Sequence, residues 1–172
     1  MRRKDAEAIF KALNDANVRY LVVGGLAVIA HGYVRLTVDL DIVLHLEHEN
    51  SLRAMQALEK IGYRPLVPVK ASEFADPEKR QSWIDEKQMI VFQMRHSDPE
   101  STRLDIFASE PFSFEDEYKR AYWDDYEGIR VPIVCYDKLL DLKRHSGRPQ
   151  DLLDIEQLKA IAEEKAHEQS AG

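Results

Sequence analysis

The sequence predicts an α+β (α/β-like) fold in which helices pack against a single mixed β-sheet. Strand-like and helix-like segments alternate along the 172 residues, and the turn-rich segment 97–100 joins two strand-like runs as a hairpin would. A chain of this length fits one domain better than two. We therefore expect a single domain over residues 1–172, with C-terminal helices in 136–167 packed on its core.

The N-terminal half shows three segments with apolar residues at helical spacing, which are predicted helices: 5–16, 26–31 and 49–61. Three predicted strands separate them: 20–23, 38–45 and 63–69. The first strand is a continuous apolar run that ends at Gly24-Gly25, and the second alternates apolar and polar residues. The third is weakened by Pro65 and Pro68.

The C-terminal half is predicted to contain three further strands: 88–94, 103–107 and 128–134. Three helices are predicted with them: 112–121, 139–144 and 149–165. Pro149 suits the first position of the last helix. The polar segment 70–86 shows no clear periodicity, so no element is predicted there.

Composition narrows the class of protein. Hydrophobic residues make up 44% and charged residues 32%, which is typical of a globular protein. The single cysteine, Cys135, lies in an apolar run and indicates a reducing compartment, so we expect a cytoplasmic protein that does not enter a membrane. A net charge of −7 disfavours unspecific binding to long nucleic acids, although a short RNA end needs only a local basic patch.

Two acids in an apolar strand carry the strongest functional signal. Asp39 and Asp41 stand at i and i+2 of the alternating strand, so both side chains leave the same face with Cα atoms about 6.7 Å apart. Carboxylates this close repel each other unless a cation lies between them, and Mg²⁺ prefers such oxygens together with substrate phosphates. The competing interpretation is a solvated outer face of an edge strand.

Asp105 is predicted to complete the site. It too is an acid within an apolar strand, with Leu104 and Ile106 on the opposite face. If its strand lies beside that of Asp39 and Asp41, three carboxylates converge and can hold two metal ions for a phosphoryl displacement.

The glycine pair Gly24-Gly25 is the predicted phosphate site. Glycine allows close approach of the backbone to a ligand, and amides at the start of a helix attract phosphate. Arg35 either contacts a phosphate or neutralises the acids. Thr37 is either part of the nucleotide site or simply a strand residue.

The segment VGGLAVIAHGYVRLTVDLDIVL (Val23–Leu44) resembles the signature of nucleotidyltransferases of the DNA polymerase β superfamily. It is most similar to the small AbiEii-like and minimal nucleotidyltransferases associated with toxin–antitoxin systems. The tail segments 138–143 and 147–155 resemble these groups as well. Many superfamily members have Gly-Ser where this chain has Gly24-Gly25, so the serine hydroxyl contact is lost.

The resemblance implies roles for the matching positions. Asp39, Asp41 and Asp105 would bind Mg²⁺ (or Mn²⁺), with Asp105 as the general base. Gly24 and Gly25 would hold the triphosphate and Lys143 would lie near its phosphates. Arg148 and Asp151 would support the site.

The predicted activity is transfer of a nucleoside monophosphate from an NTP to an acceptor hydroxyl, with release of pyrophosphate. The acceptor remains open between an RNA end, a protein and a small molecule, and an antitoxin partner or a homo-oligomer is compatible with the resemblance. Two alternatives are a non-catalytic nucleotide-binding or partner-binding module and a metal-dependent phosphoesterase.

Overall fold

The computed structural model describes residues 1–170 and confirms the predicted mixed sheet with helices against it. Its strands are β1 (Tyr20–Val23), β2 (Asp39–Leu44), β3 (Tyr63–Pro65), β4 (Val91–His96), β5 (Arg103–Phe107), β6 (Tyr122–Tyr126) and β7 (Ile129–Ile133). Its helices are α1 (Arg3–Asp15), α2 (Gly24–Ala30), α3 (His48–Lys60), α4 (Pro77–Lys87), α5 (Phe114–Lys119), α6 (Tyr136–Ser146) and α7 (Pro149–Ser170), with a 3₁₀ turn at Ala71–Ala75.

The sheet places the acidic strand at its centre. The strand order is β3-β4-β5-β2-β1-β7-β6, and β2 pairs in antiparallel fashion with β1 and in parallel fashion with β5. Because β2 has a neighbour on both sides, the edge-strand interpretation of its acids is wrong. The hairpin of β4 and β5 is antiparallel, as predicted.

The hydrophobic core covers the face of β2 and β5 that lies opposite the acids. Leu40 and Ile42 of β2 and Leu104 and Ile106 of β5 are fully buried there. The intervening residues of both strands leave the opposite face, as the alternation predicts. On the C-terminal side, α6 packs against α7 and touches α2, so these helices lie next to the glycine pair. No helix within residues 1–170 combines the length and the apolarity needed to cross a membrane.

Three segments differ from the prediction. β3 stops at Pro65, because a proline cannot donate to a strand ladder. Residues 77–87 form α4, which Asp76 caps by accepting the N–H groups of Glu78 and Lys79. The Asp76-Pro77 start signal was present in the sequence, but helical periodicity was not. β6 was not predicted, because two central aspartates are atypical of strands, and it pairs only with β7.

Candidate active site

The register of β2 and β5 brings the predicted acids together. Asp41 pairs directly with Asp105, and Asp39 pairs with Arg103, all on the face opposite the buried leucines and isoleucines of these strands. The structure therefore assembles two carboxylates side by side, with the third one step along β2. The single observation that decides this arrangement is the parallel pairing of two strands 64 residues apart.

Asp39 is held by an arginine that the sequence analysis missed. Nε of Arg103 donates to Oδ1 of Asp39 at 2.6 Å, and Nη2 donates to Oδ2 at 3.2 Å. The signal was available, because Arg103 stands two residues before Asp105 and so shares its face. Within residues 1–170, no three His, Cys, Asp or Glu side chains are already gathered as a metal cage, which is consistent with Asp39 facing Arg103.

The other two carboxylates carry unbalanced negative charge. Burial raises the pKa of Asp41 to about 6, and the charges of Asp105 and Asp39 add to this effect against a weaker opposing effect of Arg148 and the Gly25 N–H. Burial and Asp39 also raise the pKa of Asp105, although Nε2 of Gln93 donates to its oxygens at 3.2 and 3.4 Å. A divalent cation bound here would remove this repulsion, so the donor set fits Mg²⁺ or Mn²⁺.

The glycine pair lies against the acids. Gly24 has φ +62°, and a Cβ at this position would overlap Oδ2 of Asp41. A Cβ on Gly25 would overlap Oγ1 of Thr37 and lie 3.3 Å from Nη1 of Arg35. Neither position accepts a side chain without displacing its neighbour, so the turn, Thr37 and Arg35 form one wall beside Asp41.

This contact leads to a testable expectation for Gly24→Ala. The change adds left-handed backbone strain and a collision with Asp41, so it should lower stability by about 2–3 kcal/mol and reduce activity sharply. Gly128→Ala is the matched control, because Gly128 has φ +81° and nothing within 4 Å of its Cβ position. It should cost about 1 kcal/mol of backbone strain alone. Equal losses in urea denaturation would contradict the close packing of Gly24 on Asp41.

A buried ion network supports the turn from behind. Arg35 Nε lies 2.8 Å from Oδ1 of Asp154, while Lys143 Nζ lies 2.7 Å from Oδ2 of Asp154 and 2.9 Å from Oδ1 of Asp151. Arg148 Nε lies 2.7 Å from Oδ2 of Asp151. Three cations thus share two carboxylates and leave one net positive charge near the glycine turn. The sequence analysis missed Asp154, which stands one helical turn after Asp151.

The network separates two of the predicted residues by exposure. Lys143 is 4% exposed, with its ammonium engaged by two carboxylates. The Arg148 side chain is 75% exposed, and its charge lowers the pKa of Asp41. Arg148 is therefore the member of the network that faces the acids and has room for a ligand.

The sequence profile of the aminoglycoside-2''-adenylyltransferase family matches residues 6–158, which span the sheet, the glycine pair and the ion network. The chain belongs to this family. Members of the family are nucleotidyltransferases, so the predicted superfamily and enzyme class are confirmed at that level, with an NTP as substrate. No curated protein sequence gives a significant match.

Solved structures show the same fold. A lincosamide antibiotic adenylyltransferase with bound lincomycin aligns with TM-score 0.63 at 20% identity, over 94% of this chain and 98% of its own. The enzyme ANT(2'')-Ia, in complex with adenylyl-2''-tobramycin, aligns with TM-score 0.60 at 15% identity, over 96% and 92%. A Thermotoga maritima protein aligns with TM-score 0.56 at 13% identity, over 94% and 92%. The narrower AbiEii-like, toxin–antitoxin resemblance stays a prediction.

Proposed function

We propose that this family member transfers the adenylyl group of ATP to a hydroxyl of a small acceptor, in the presence of Mg²⁺ (or Mn²⁺), and releases pyrophosphate. The observation that carries the proposal is the pairing of Asp41 with Asp105 directly beside the Gly24-Gly25 turn. Nucleotidyl transfer requires carboxylates that can bind a metal ion, and beside them a turn whose backbone can come close to the phosphates.

The three acids have different proposed roles. Asp39, Asp41 and Asp105 would hold the metal, which supplies charge neutralisation for the phosphates and for the leaving pyrophosphate. Asp105 takes the proton of the acceptor hydroxyl, and its raised pKa makes it a better base than an ordinary aspartate. To bind a metal ion, Asp39 must use an oxygen that now accepts a hydrogen bond from Arg103. Arg103 would therefore compete with the metal for Asp39 and weaken metal binding.

The nucleotide side of the site would be the glycine turn and the network behind it. Backbone groups of Gly24 and Gly25 approach the phosphates, and Arg148 offers an exposed guanidinium for an anionic oxygen. Arg35, Thr37 and Lys143 keep the turn and α7 in place through the contacts described above. Lys143 thus acts on the nucleotide through Asp151, which holds Arg148.

Adenylyl transfer is tested with ATP labelled at the α-phosphate, Mg²⁺, and separate pools of small hydroxyl compounds, total RNA and protein. We expect label in the small-molecule pool and equimolar pyrophosphate. Asp105→Asn should lower the rate at least about 10²-fold, because it removes a general base but keeps the shape. Matching rates for the two proteins would contradict the proposal.

The same assay separates the alternatives. Label in RNA or protein would favour the toxin–antitoxin resemblance, with an antitoxin as partner. Free AMP without an adduct would indicate the phosphoesterase. Binding of ATP without turnover would leave a nucleotide-binding module.

A further inference from the structure

A cavity of about 360 Å³ opens at the end of the sheet where β2 and β5 begin. Arg95 and His96 of β4, Arg103 of β5 and Val38 before β2 form part of its wall. Its volume lies in the range of sites for small molecules. Arg103 also donates a hydrogen bond to Asp39, so this one side chain contacts both the cavity and the acids.

The register places two of the wall residues around the proposed base. Gln93 of β4 pairs with Asp105, so Arg95, two residues further along, is a diagonal neighbour of Asp105 at roughly 7–8 Å between Cα atoms. Arg103 lies two residues before Asp105 on the same strand. The charges of Arg103 and Arg95 both reach Asp105, where they lower its pKa against the effect of burial. A molecule that binds Arg95 in the cavity would therefore lie on the same face of the sheet as the proposed base.

The three cavity arginines differ in their partners. Arg103 is bound to Asp39, and Arg2 is bound to Asp5 and Asp98. The side chain of Arg95 is exposed and has no hydrogen bond or ion pair to any residue in 1–170. The acid that lacks an ion pair on the cavity wall, Glu100, stands exposed in the hairpin turn. The cavity thus offers one unneutralised guanidinium close to Asp105.

We propose that this cavity holds the acceptor and that the acceptor is a small hydroxyl compound with its own anionic group, a phosphate or a carboxylate, which Arg95 binds. The inference rests on the proposed adenylyl transfer. Guanidinium groups bind phosphate and carboxylate in a two-pronged geometry, whereas a polycationic acceptor would face Arg95 with like charge. With a net charge of −7 and one small cationic cavity, the protein suits a small anion better than a long RNA.

Binding of two matched probe pairs tests the proposal: glycerol 3-phosphate against glycerol, and glycerate against glycerol. The nucleotide site is first filled with Mg²⁺ and α,β-methylene-ATP, so that the probes do not occupy the phosphate site at the glycine turn. Calorimetry on the wild type should show binding of at least one anionic probe and none of glycerol. The preferred probe tells phosphate from carboxylate.

Variants then locate the binding. Arg95→Glu should lower the affinity for the anion at least about tenfold, because it reverses the charge. Arg95→Gln should lower the affinity less, because it only removes the charge. Arg53→Glu, a charge reversal at an exposed position of α3, is the control that should leave affinity unchanged. No preference for anions over glycerol, or equal affinity in Arg95→Glu and Arg53→Glu, would overturn the inference.

Turnover distinguishes failure of this inference from failure of the proposed function. The proposal of a small anionic acceptor would be overturned if Arg95→Glu accelerated adenylylation of tobramycin, or if label entered RNA. Either result would still support nucleotidyl transfer. If the wild type does not bind Mg²⁺-ATP at all, the proposed function fails on its own, and the comparison of Arg95→Glu with Arg53→Glu still shows whether an anionic probe binds in the cavity.

Discussion

Asp41→Asn is expected to abolish adenylyl transfer and at the same time to stabilise the metal-free protein at neutral pH. A metal ion contributes several kcal/mol of transition-state stabilisation, so loss of this ligand should lower kcat/KM by at least about 10³-fold. Stability should rise because Asp41 is ionised at neutral pH in a place where burial and two neighbouring carboxylates disfavour its charge. Asparagine keeps an oxygen for the Gly25 N–H but carries no charge.

The pH dependence follows from the direction of the pKa shift. Folding raises the pKa of Asp41 from 3.8 to about 6, so the folded state gains nothing and loses nothing from this group below pH 3.8, where it is protonated in both states. The cost builds up as the pH rises from 3.8 to 6, where the unfolded state loses a proton that the folded state keeps, and it levels off at about 3 kcal/mol above pH 6. The advantage of Asp41→Asn should therefore be largest at pH 8 and nearly absent at pH 4.

Urea denaturation in EDTA at both pH values measures the change in free energy of unfolding. Asp39→Asn is the matched control: it should lose activity similarly but gain no stability, because Asp39 is paired with Arg103. Mg²⁺ with ATP should raise the melting temperature of the wild type and leave that of Asp41→Asn almost unchanged. A less stable Asp41→Asn at pH 8 would contradict the electrostatic account of the site.

Lys143→Met is expected to lower stability by about 3–5 kcal/mol, more than Gly24→Ala. The substitution leaves Asp154, which is fully buried, and Asp151, which is 2% exposed, without the ammonium that bridges them. Asp154 keeps Arg35 and Asp151 keeps Arg148, but a buried carboxylate that loses one of two cations keeps its full desolvation cost. Activity should fall as well, because the network holds α7 and Arg148 against the glycine turn.

Acid should reduce the effect of Lys143→Met. Burial acts to raise the pKa of Asp151, but hydrogen bonds from Arg148 and Lys143 outweigh it and hold that pKa well below its usual range. A depressed folded-state pKa gives stability that is present above about pH 4 and is lost as the pH falls. The difference between wild type and variant should therefore shrink below pH 4.

The control for Lys143→Met is Arg144→Met on the neighbouring, exposed position of α6. Among the residues that the structure describes, Arg144 forms an ion pair with the exposed Asp141 alone, so its loss should change stability by less than about 0.5 kcal/mol. Thermal or urea unfolding of the two variants side by side gives the comparison. A loss below about 1 kcal/mol for Lys143→Met would mean that the network does not hold α7 in place.

Local sequence patterns predicted most elements and the face that each acid occupies. Alternation in Val38–His45 and in Arg103–Phe107 put Asp39, Asp41 and Asp105 opposite apolar residues, because side chains of a strand alternate between its two faces. The resemblance of Val23–Leu44 added the nucleotidyltransferase class, which the family match confirms. Segment 70–86 and β6 were missed because their patterns are polar or interrupted.

The tertiary structure decided what depends on residues distant in the chain. The parallel register of β2 with β5 makes Asp41 and Asp105 direct neighbours. The same register places Asp39 opposite Arg103, which donates hydrogen bonds to it. Docking of α7 buried Asp154 between Arg35 and Lys143. Strand partners and helix docking are chosen by packing of the whole core, which no local period encodes. The sequence alone therefore predicted the three acids. Only the fold showed that Arg103 is bound to Asp39 and that the side chain of Arg95 forms no ion pair with a described residue.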